Sequence, residues 1–555
     1  MKQILYLLLG CLIPFQFLTA KMYSSPERTP VDYVNPYIGN ISHLLVPTYP
    51  TVHLPNSMLR VYPERENFTG NTINGLPLIV TSHRGSSAFN LSPYQGELQK
   101  AGSIIQYGYD NEVIKPYYYS VDLDDDGMYV QYAPSHQSGI YQIDFSQTDK
   151  PAYLIFNTRN GELKTDGKSI SGYQKLGNHT QVYIYLETDQ QPLKIGTHQG
   201  AVIRTTDKST QGHNAYYILE YPKGTASVLL RYGVSFISSE QAKQNLRREI
   251  KNYNLQAVAD KGRSVWNETL GKIFVKGGTE NEKTVFYTSL YRTYERMICI
   301  SEDGRYFSAY DGQVHDDEGI PFYVDDWIWD TYRATHPLRL IIETEMESNM
   351  VNSLIRMAYQ MQPNWMPTFP EINGDSRRMN CNHGVATVLD AYNKGMRSFD
   401  LAKAYQVCKA AITEKTLAPW SSKPAGVLDQ FYKDHGYFPA LAVGEQETVP
   451  EVHSWERRQP AAVTLGTVYD EWCLGNIAQA LGDKKEADYF LKRSLNYHKI
   501  FNKETCFFHP KDSFGNFIQP FDYRYSSGVG GRDAYDENNG WVYRWDLPHN
   551  VADLV

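Results

Sequence analysis

The stretch ASVLLRYGVSFISSEQAKQNLRREI, residues 226–250, holds the point at which the chain changes character. Its first half, Ala226 to Ser238, is a β-type run of branched and aromatic residues. Its second half opens a helix: Ser239 can cap it, and Ala242, Leu246 and Ile250 recur at helical spacing. Upstream lie more β-type runs, among them Ala152 to Asn157 (AYLIFN) and Gln181 to Thr188 (QVYIYLET). Turn signals such as Asp124 to Gly127 and Asn160-Gly161 separate them. Many short strands without intervening helices predict an antiparallel β-sandwich. Downstream, Val258 to Leu270 reads as a second connecting helix. Helical patterns then dominate, over Lys283 to Arg296, His336 to Gln360, His383 to Asn393, Asp400 to Thr413, Thr464 to Leu481 and Lys484 to Phe501. A string of amphipathic helices joined by long aromatic loops suggests an α/α toroid, with an irregular helical bundle as the alternative. The expected division is a signal peptide over 1–20, a sandwich over 30–238, a helical linker over 239–279 and a helical domain over 280–555. The last residues, Leu547 to Val555 (LPHNVADLV), read as the beginning of an element rather than a polar tail, so the helical domain is expected to be C-terminally incomplete.

Composition narrows the class. The 555 residues are 41% hydrophobic, 13% aromatic and 21% charged, which suits a folded chain with an ample core. A net charge of −8 and no basic run argue against a nucleic-acid partner. The 43 tyrosines and nine tryptophans suit sugar-stacking clefts, although for any single ring a place in a β-rich core is the commoner fate.

The first twenty residues read as an export signal: Lys2, then apolar Ile4 to Leu9 and Leu12 to Leu18, then small residues at Thr19-Ala20. Periplasmic or extracellular placement follows, with lipoprotein anchoring through Cys11 as a rival reading. Elsewhere no segment has the ~20 apolar residues of a membrane helix. Cys299, Cys381, Cys408, Cys473 and Cys506 are odd in number and widely spaced, neither a disulfide framework nor a zinc site.

Three segments concentrate polar and aromatic chemistry. Residues 325–338, DDWIWDTYRATHPL, set carboxylates beside indoles; Asp330 reads equally as a sugar ligand or as a helix N-cap. In residues 535–549, YDENNGWVYRWDLPH, Glu537 lies near Trp541, and an apolar ring beside a carboxyl can raise its pKa toward that of a general acid; a solvated surface Glu is the plain alternative. Residues 365–383, WMPTFPEINGDSRRMNCNH, carry Glu371, Asp375 and His383, the last as a site residue or a capping residue. No His-Glu-x-x-His, EF-hand, phosphate loop or Gly-x-Ser-x-Gly elbow occurs, though calcium held by oxygens from distant loops would leave no local motif.

Together these segments resemble glycoside hydrolase family 92, the calcium-dependent exo-α-mannosidases, over almost the whole chain. Val34 to Gly39 (VNPYIG) is similar to the family's VNPFIG opening, and Ser235 to Leu246 to its sandwich-to-linker junction. Phe286 to Arg292 (FYTSLYR), Asp330 to Leu338, His383 to Asp400 (HGVATVLDAYNKGMRSFD) and Val468 to Leu474 (VYDEWCL) follow in the family's order. The resemblance implies a β-sandwich followed by an (α/α)6 barrel. It implies removal of mannose from α-mannosides of glycoproteins or mannans with inversion, and a Ca2+ at the sugar hydroxyls. The family's EGNAWQY motif becomes Glu537 to Tyr543, which gives Glu537 the acid role. By the same positional match Trp329 and Asp330 grip the sugar, and His383, Asn539, Trp541 and His549 join the substrate site. Asn538 replaces a Gly and Val542 a Gln, and the early TFPGA…PFGM stretch becomes Thr48 to Val52 and Leu54 to Met58, which bears on sugar specificity and calcium. The family's base, an Asp in GNDDxG, has no counterpart string here. An inverting site needs two carboxyls about 6.5–9.5 Å apart, so little turnover is expected from this chain. A catalytically impaired glycan-binding homologue, or another α/α-barrel carbohydrate enzyme, are the alternatives.

Overall fold

The computed structural model describes residues 28–41, 48–65, 69–81, 87–123, 127–147, 149–177, 179–525 and 533–555. The leader, Cys11 and most of the Asp124–Gly127 turn lie outside the described residues.

Two antiparallel sheets build the first part. In the larger, ten strands run in the order Ser209–Gly212, Gly161–Thr165, Ser169–Gly177, Thr180–Thr188, Ser227–Ser235, Ser138–Asp144, Met128–Pro134, Tyr118–Leu123, Gln106–Lys115, Thr72–Asn74. Six strands make the other: Val202–Arg204, Lys194–Gln199, Ala215–Tyr221, Ala152–Thr158, Phe89–Tyr94 and Leu76–Pro77. Thr180–Thr188 shows why alternation decides such a strand: Val182, Ile184 and Leu186 enter the core while their neighbours are half-buried. Ala152–Thr158 is buried throughout because both of its faces are covered. Leu154 and Phe156 join the core shared with the larger sheet, and Tyr153 and Ile155 pack with Ile203 and Ile218 on the other side.

Tyrosine is the filler of this core, as its plainer reading held. Buried Tyr141, Tyr232 and Tyr107 of the larger sheet donate their hydroxyls to the carbonyls of Pro77 (2.7 Å), Leu78 (2.7 Å) and Pro93 (2.6 Å) across the gap. Each ring supplies apolar area, and its polar tip satisfies a carbonyl that would otherwise be buried alone.

The chain leaves the sheet at Ser227–Ser235 and turns into helix Ser239–Glu249. Its cap is Ser238, one residue earlier than the sequence suggests: Ser238 accepts from the Gln241 amide at 3.1 Å, and Ser239 donates instead to the Gly172 carbonyl. This helix lies so close to the sheet that a Cβ on Gly233 would come within 2.1 Å of the Ala242 carbonyl oxygen. Helix Leu255–Leu270 follows, anchored by buried Trp266, whose indole N–H donates to the His53 carbonyl at 2.7 Å.

The remainder is mainly helical: Glu280–Arg292, Thr335–Ile342, Thr344–Gln360, Gly384–Asn393, Leu401–Thr413, Val427–His435, Pro460–Ala480 and Lys484–Arg493. Several boundaries differ from the sequence reading for identifiable reasons. The run His336–Gln360 is two helices, broken at Glu343, whose carboxylate is engaged by Tyr294 and Lys272. The first long helix ends at Arg292 rather than Arg296, and the last gives way at Arg493 to a short 3-10 turn, Asn496–Lys499. Helix Pro460–Ala480 starts four residues before Thr464 because Pro460 occupies its first turn, where a missing N–H costs nothing. Sixteen of its residues are buried, so it runs through the centre of the helical region. Among the described residues the cysteines are free thiols; Cys381, Cys408 and Cys473 are buried, the last two within the main hydrophobic core.

Candidate active site

The segment from Asp325 turns its first four residues inward and its next two outward. Asp325 is gripped by Arg60 from the β part and by Arg296. Asp326, fully buried, meets His336 Nε2 at 2.8 Å and accepts from the Thr331 hydroxyl at 2.9 Å. Trp327 lies under the Arg296 guanidinium, 3.8 Å from the ring centroid. With these fixed, the single turn Ile328–Thr331 presents Trp329 and Asp330 to a cleft of about 770 Å3. The capping reading of Asp330 does not hold, since Trp327 occupies the N-cap position.

The opposite wall is the loop around Glu537. The Tyr543 hydroxyl accepts from the Asp536 amide (3.3 Å) and donates to the Asp536 carbonyl (3.0 Å), which fixes the residue before Glu537 on both sides. Glu537 itself is exposed to the cleft and has φ +51°, a left-handed backbone unusual for a residue with a side chain. Asn539 caps the turn Gly540–Tyr543 by accepting from the Trp541 amide at 3.1 Å. Glycine is required at 540, where a Cβ would come within 2.9 Å of both Tyr523 Cβ and the Tyr535 hydroxyl.

One side chain joins the two walls. Buried Asn380 accepts from the Trp329 indole N–H (3.2 Å) and donates to Gln459 Oε1 (2.7 Å) and Asp536 Oδ2 (3.1 Å). Beneath it, His383 lines the cleft with its ring 4.2 Å from that of Tyr332, and its Nδ1 meets buried Asp470 at 2.7 Å. His383 stands at the head of helix Gly384–Asn393 but caps nothing.

Electrostatically the cleft is dominated by carboxyls. Asp330 presents surface to the cleft yet is crowded by its walls, and this partial loss of water, then the negative Glu537 and Asp326, push its carboxyl up to about 7. Arg333 at the rim is held by Asp546.

Of the residues singled out in the sequence, Trp329, Asp330, His383, Glu537 and Trp541 meet on this one cleft, although they come from three distant segments. Asn539 does not line it and serves the turn that carries Trp541. His549 lies apart, its Nε2 at 3.0 Å from the Ser494 carbonyl and its ring among Tyr469, Trp472 and Tyr497. Asp375 clamps its own loop through the amides of Thr368, Phe369 and Arg377. Glu371, raised by burial and paired with Arg378, lines a separate cavity of about 340 Å3. A further cavity of about 660 Å3 has its two arginines, Arg457 and Arg458, held by Asp533 and Glu447. Asn380, Asp470 and Asp536 were missed. For Asp470 a signal existed: an acid on the apolar face of a helix requires a partner.

Comparison with known proteins adds the kinship. Residues 33–235 match the glycosyl hydrolase family 92 N-terminal domain, and residues 241–555 match the glycosyl hydrolase family 92 catalytic domain. An uncharacterized secreted glycosidase of Arthroderma benhamiae is 22% identical over 98% of this chain and 74% of its own length. A family 92 inverting mannosidase of Bacteroides thetaiotaomicron superposes with a TM-score of 0.82 at 25% identity, over 95% of this chain and 72% of that one. A family 92 α-mannosidase of the same bacterium, in complex with mannoimidazole, shares the fold with a TM-score of 0.82 at 21% identity over the same shares.

Proposed function

The chain belongs to glycosyl hydrolase family 92, and on that premise we propose that it is an exported enzyme that removes terminal mannose from α-mannosides, with Glu537 as the proton donor. The observation that carries this reading is the convergence of Trp329, Asp330, His383, Glu537 and Trp541 on one cleft of about 770 Å3, roomy enough for a sugar and part of its aglycone. Indoles at Trp329 and Trp541 offer flat faces to the C–H face of a pyranose, and Asp330 and His383 offer hydrogen-bonding atoms to its hydroxyls.

Crowding by the cleft walls, and then the charge of Glu537, push the Asp330 carboxyl up to about 7, so Asp330 changes charge near neutral pH. Sugar hydroxyls donating to Asp330 favour its ionised form. The charge then held on Asp330 faces Glu537, the residue that the reading assigns to protonate the leaving oxygen. Inversion belongs to this reading, with the water-activating base assigned to no residue of this sequence.

We read the two sheets as a β-sandwich over residues 30–238, followed by a linker to 279 and an (α/α)6 toroid. Asn539 and His549 act on the site indirectly, through the turn bearing Trp541 and through the aromatic packing around Tyr469. Export is supported by the leader-like sequence of residues 1–20 and by the secreted relative, and among the described residues no helix is long and apolar enough to cross a membrane.

The Ca2+ implied by the resemblance fits poorly. Among the described residues no three His, Cys, Asp or Glu side chains gather as a metal site. Of the side-chain oxygens on the cleft, that of Asn380 accepts from Trp329, Asp536 accepts from Asn380 and Asp546 is paired with Arg333, which leaves chiefly Asp330, Glu537 and Asn538 for an ion that takes roughly six to eight oxygens. No step is therefore derived through it.

The test is mannose release from α-mannobiosides by purified chain. With no counterpart of the water-activating base in this sequence, wild type is expected to release mannose only slowly, and Glu537→Gln to lower that residual rate by about 10²-fold or more; equal rates in the two proteins would refute the assignment of Glu537.

A further inference from the structure

Helix Pro460–Ala480 carries two adjacent buried acids, and they are used differently. Glu471 accepts from Arg493 (2.6 Å) and from the Tyr432 hydroxyl (3.0 Å). Asp470, among the described residues, pairs with no lysine or arginine. Its Oδ2 accepts from the Asn382 amide at 2.7 Å and its Oδ1 meets His383 Nδ1 at 2.7 Å.

These contacts fix more than a distance. A main-chain N–H only donates, and an ionised carboxylate only accepts, so His383 Nδ1 must carry a hydrogen. In the neutral ring Nε2 is then left as a lone-pair acceptor. Among the described residues Nδ1 is the one nitrogen of this ring with a hydrogen-bond partner. The ring is also clamped. Tyr332 packs on it with centroids 4.2 Å apart, and Gly466 faces it where a Cβ would stand 3.4 Å from Cε1 and 2.2 Å from Cys381 Sγ.

We propose that Asp470 is a positioning residue that holds His383 as its Nδ1–H tautomer, so that Nε2 stands on the cleft wall as the acceptor for a hydroxyl of the bound sugar. The proposal rests on the sugar-cleft reading above, and its two parts are separable by experiment.

Two substitutions isolate them. In Asp470→Asn the amide oxygen must face the Asn382 N–H, which turns the NH2 group toward the ring. Nδ1 then becomes an acceptor and Nε2 gains the hydrogen, with the shape of the site preserved. In His383→Asn the side-chain amide keeps the bond to Asp470 and removes Nε2. The ring nitrogens are read by NMR on histidine-labelled chain, with His383 identified by its loss in H383N. Methyl α-mannoside binding is read by calorimetry. Wild type is expected to show the Nδ1–H tautomer and D470N the Nε2–H tautomer, and both variants to bind the mannoside roughly tenfold or more weakly. An unchanged tautomer in D470N would overturn the role of Asp470. Unchanged affinity in H383N would overturn the role of Nε2, and that variant keeps the buried contact should D470N not fold. No binding by wild type would sink the sugar-cleft reading itself, while the nitrogen spectra would still decide the tautomer.

Discussion

Asp330 is open to the cleft and yet hemmed in by it, and this double position has a consequence for stability. Its carboxyl is pushed from 3.8 up to about 7 by lost hydration and by Glu537 and Asp326. Between those values the folded chain binds more protons at this site than the unfolded chain, so the site opposes folding increasingly as pH rises from about 4 to 7, and constantly above that. Asp330→Asn removes the effect. Thermal melts at pH 4.5 and pH 8 are expected to show the melting temperature of the variant, relative to wild type, rising by on the order of 1–3 °C at the higher pH; a shift of opposite sign would contradict this environment for Asp330. Asn380 is the second residue on which the site turns, since its one amide links Trp329, Gln459 and Asp536. Asn380→Ala is expected to cost about 2–3 kcal/mol in urea unfolding and to weaken mannoside binding with it. Stability lost without any change in binding would separate Asn380 from the cleft.

Among the elements, the turn Ile328–Thr331 depends on the buried triad Asp326–His336–Glu347 behind it. Burial alone would keep this imidazole neutral, but the Glu347 and Asp326 carboxylates overcome it and push the ring up to about 9. Stabilisation from a raised histidine is complete below its unfolded value near 6.5 and is lost as pH climbs through 9. His336→Asn is therefore expected to cost about 3–5 kcal/mol at pH 6, by leaving two buried carboxylates without their cation, and less at pH 9.5. Urea unfolding at the two pH values checks it, and a pH-independent cost would contradict a charged ring. This element also shows where sequence reading stops. The strand of Gln181–Thr188 and the helix after Ser238 were legible because alternation and capping act between near neighbours. The break at Glu343 was not, because it depends on Tyr294 and Lys272, far away in the chain. The partner of Asp470 was hidden for the same reason, its histidine lying 87 residues earlier.

On the scale of the whole molecule, one helix running through the centre of the helical region, Pro460–Ala480, supplies the floor on which three distant segments meet. The order of the two parts could be read in advance, and so could the segments that supply five of the residues lining the cleft, because motif segments carry their chemistry locally. What could not be read was which of them would share a wall: Trp541 does, whereas Asn539 two residues earlier caps a turn and His549 joins an aromatic cluster. The account depends on Glu537 facing a sugar held against Trp329. The most direct measurement is a crystal structure of the Glu537→Gln chain with an α-mannobioside. It should show the glycosidic oxygen about 3 Å from the residue-537 amide and the terminal ring against Trp329. A sugar bound elsewhere, or residue 537 turned away from the bond, would contradict it.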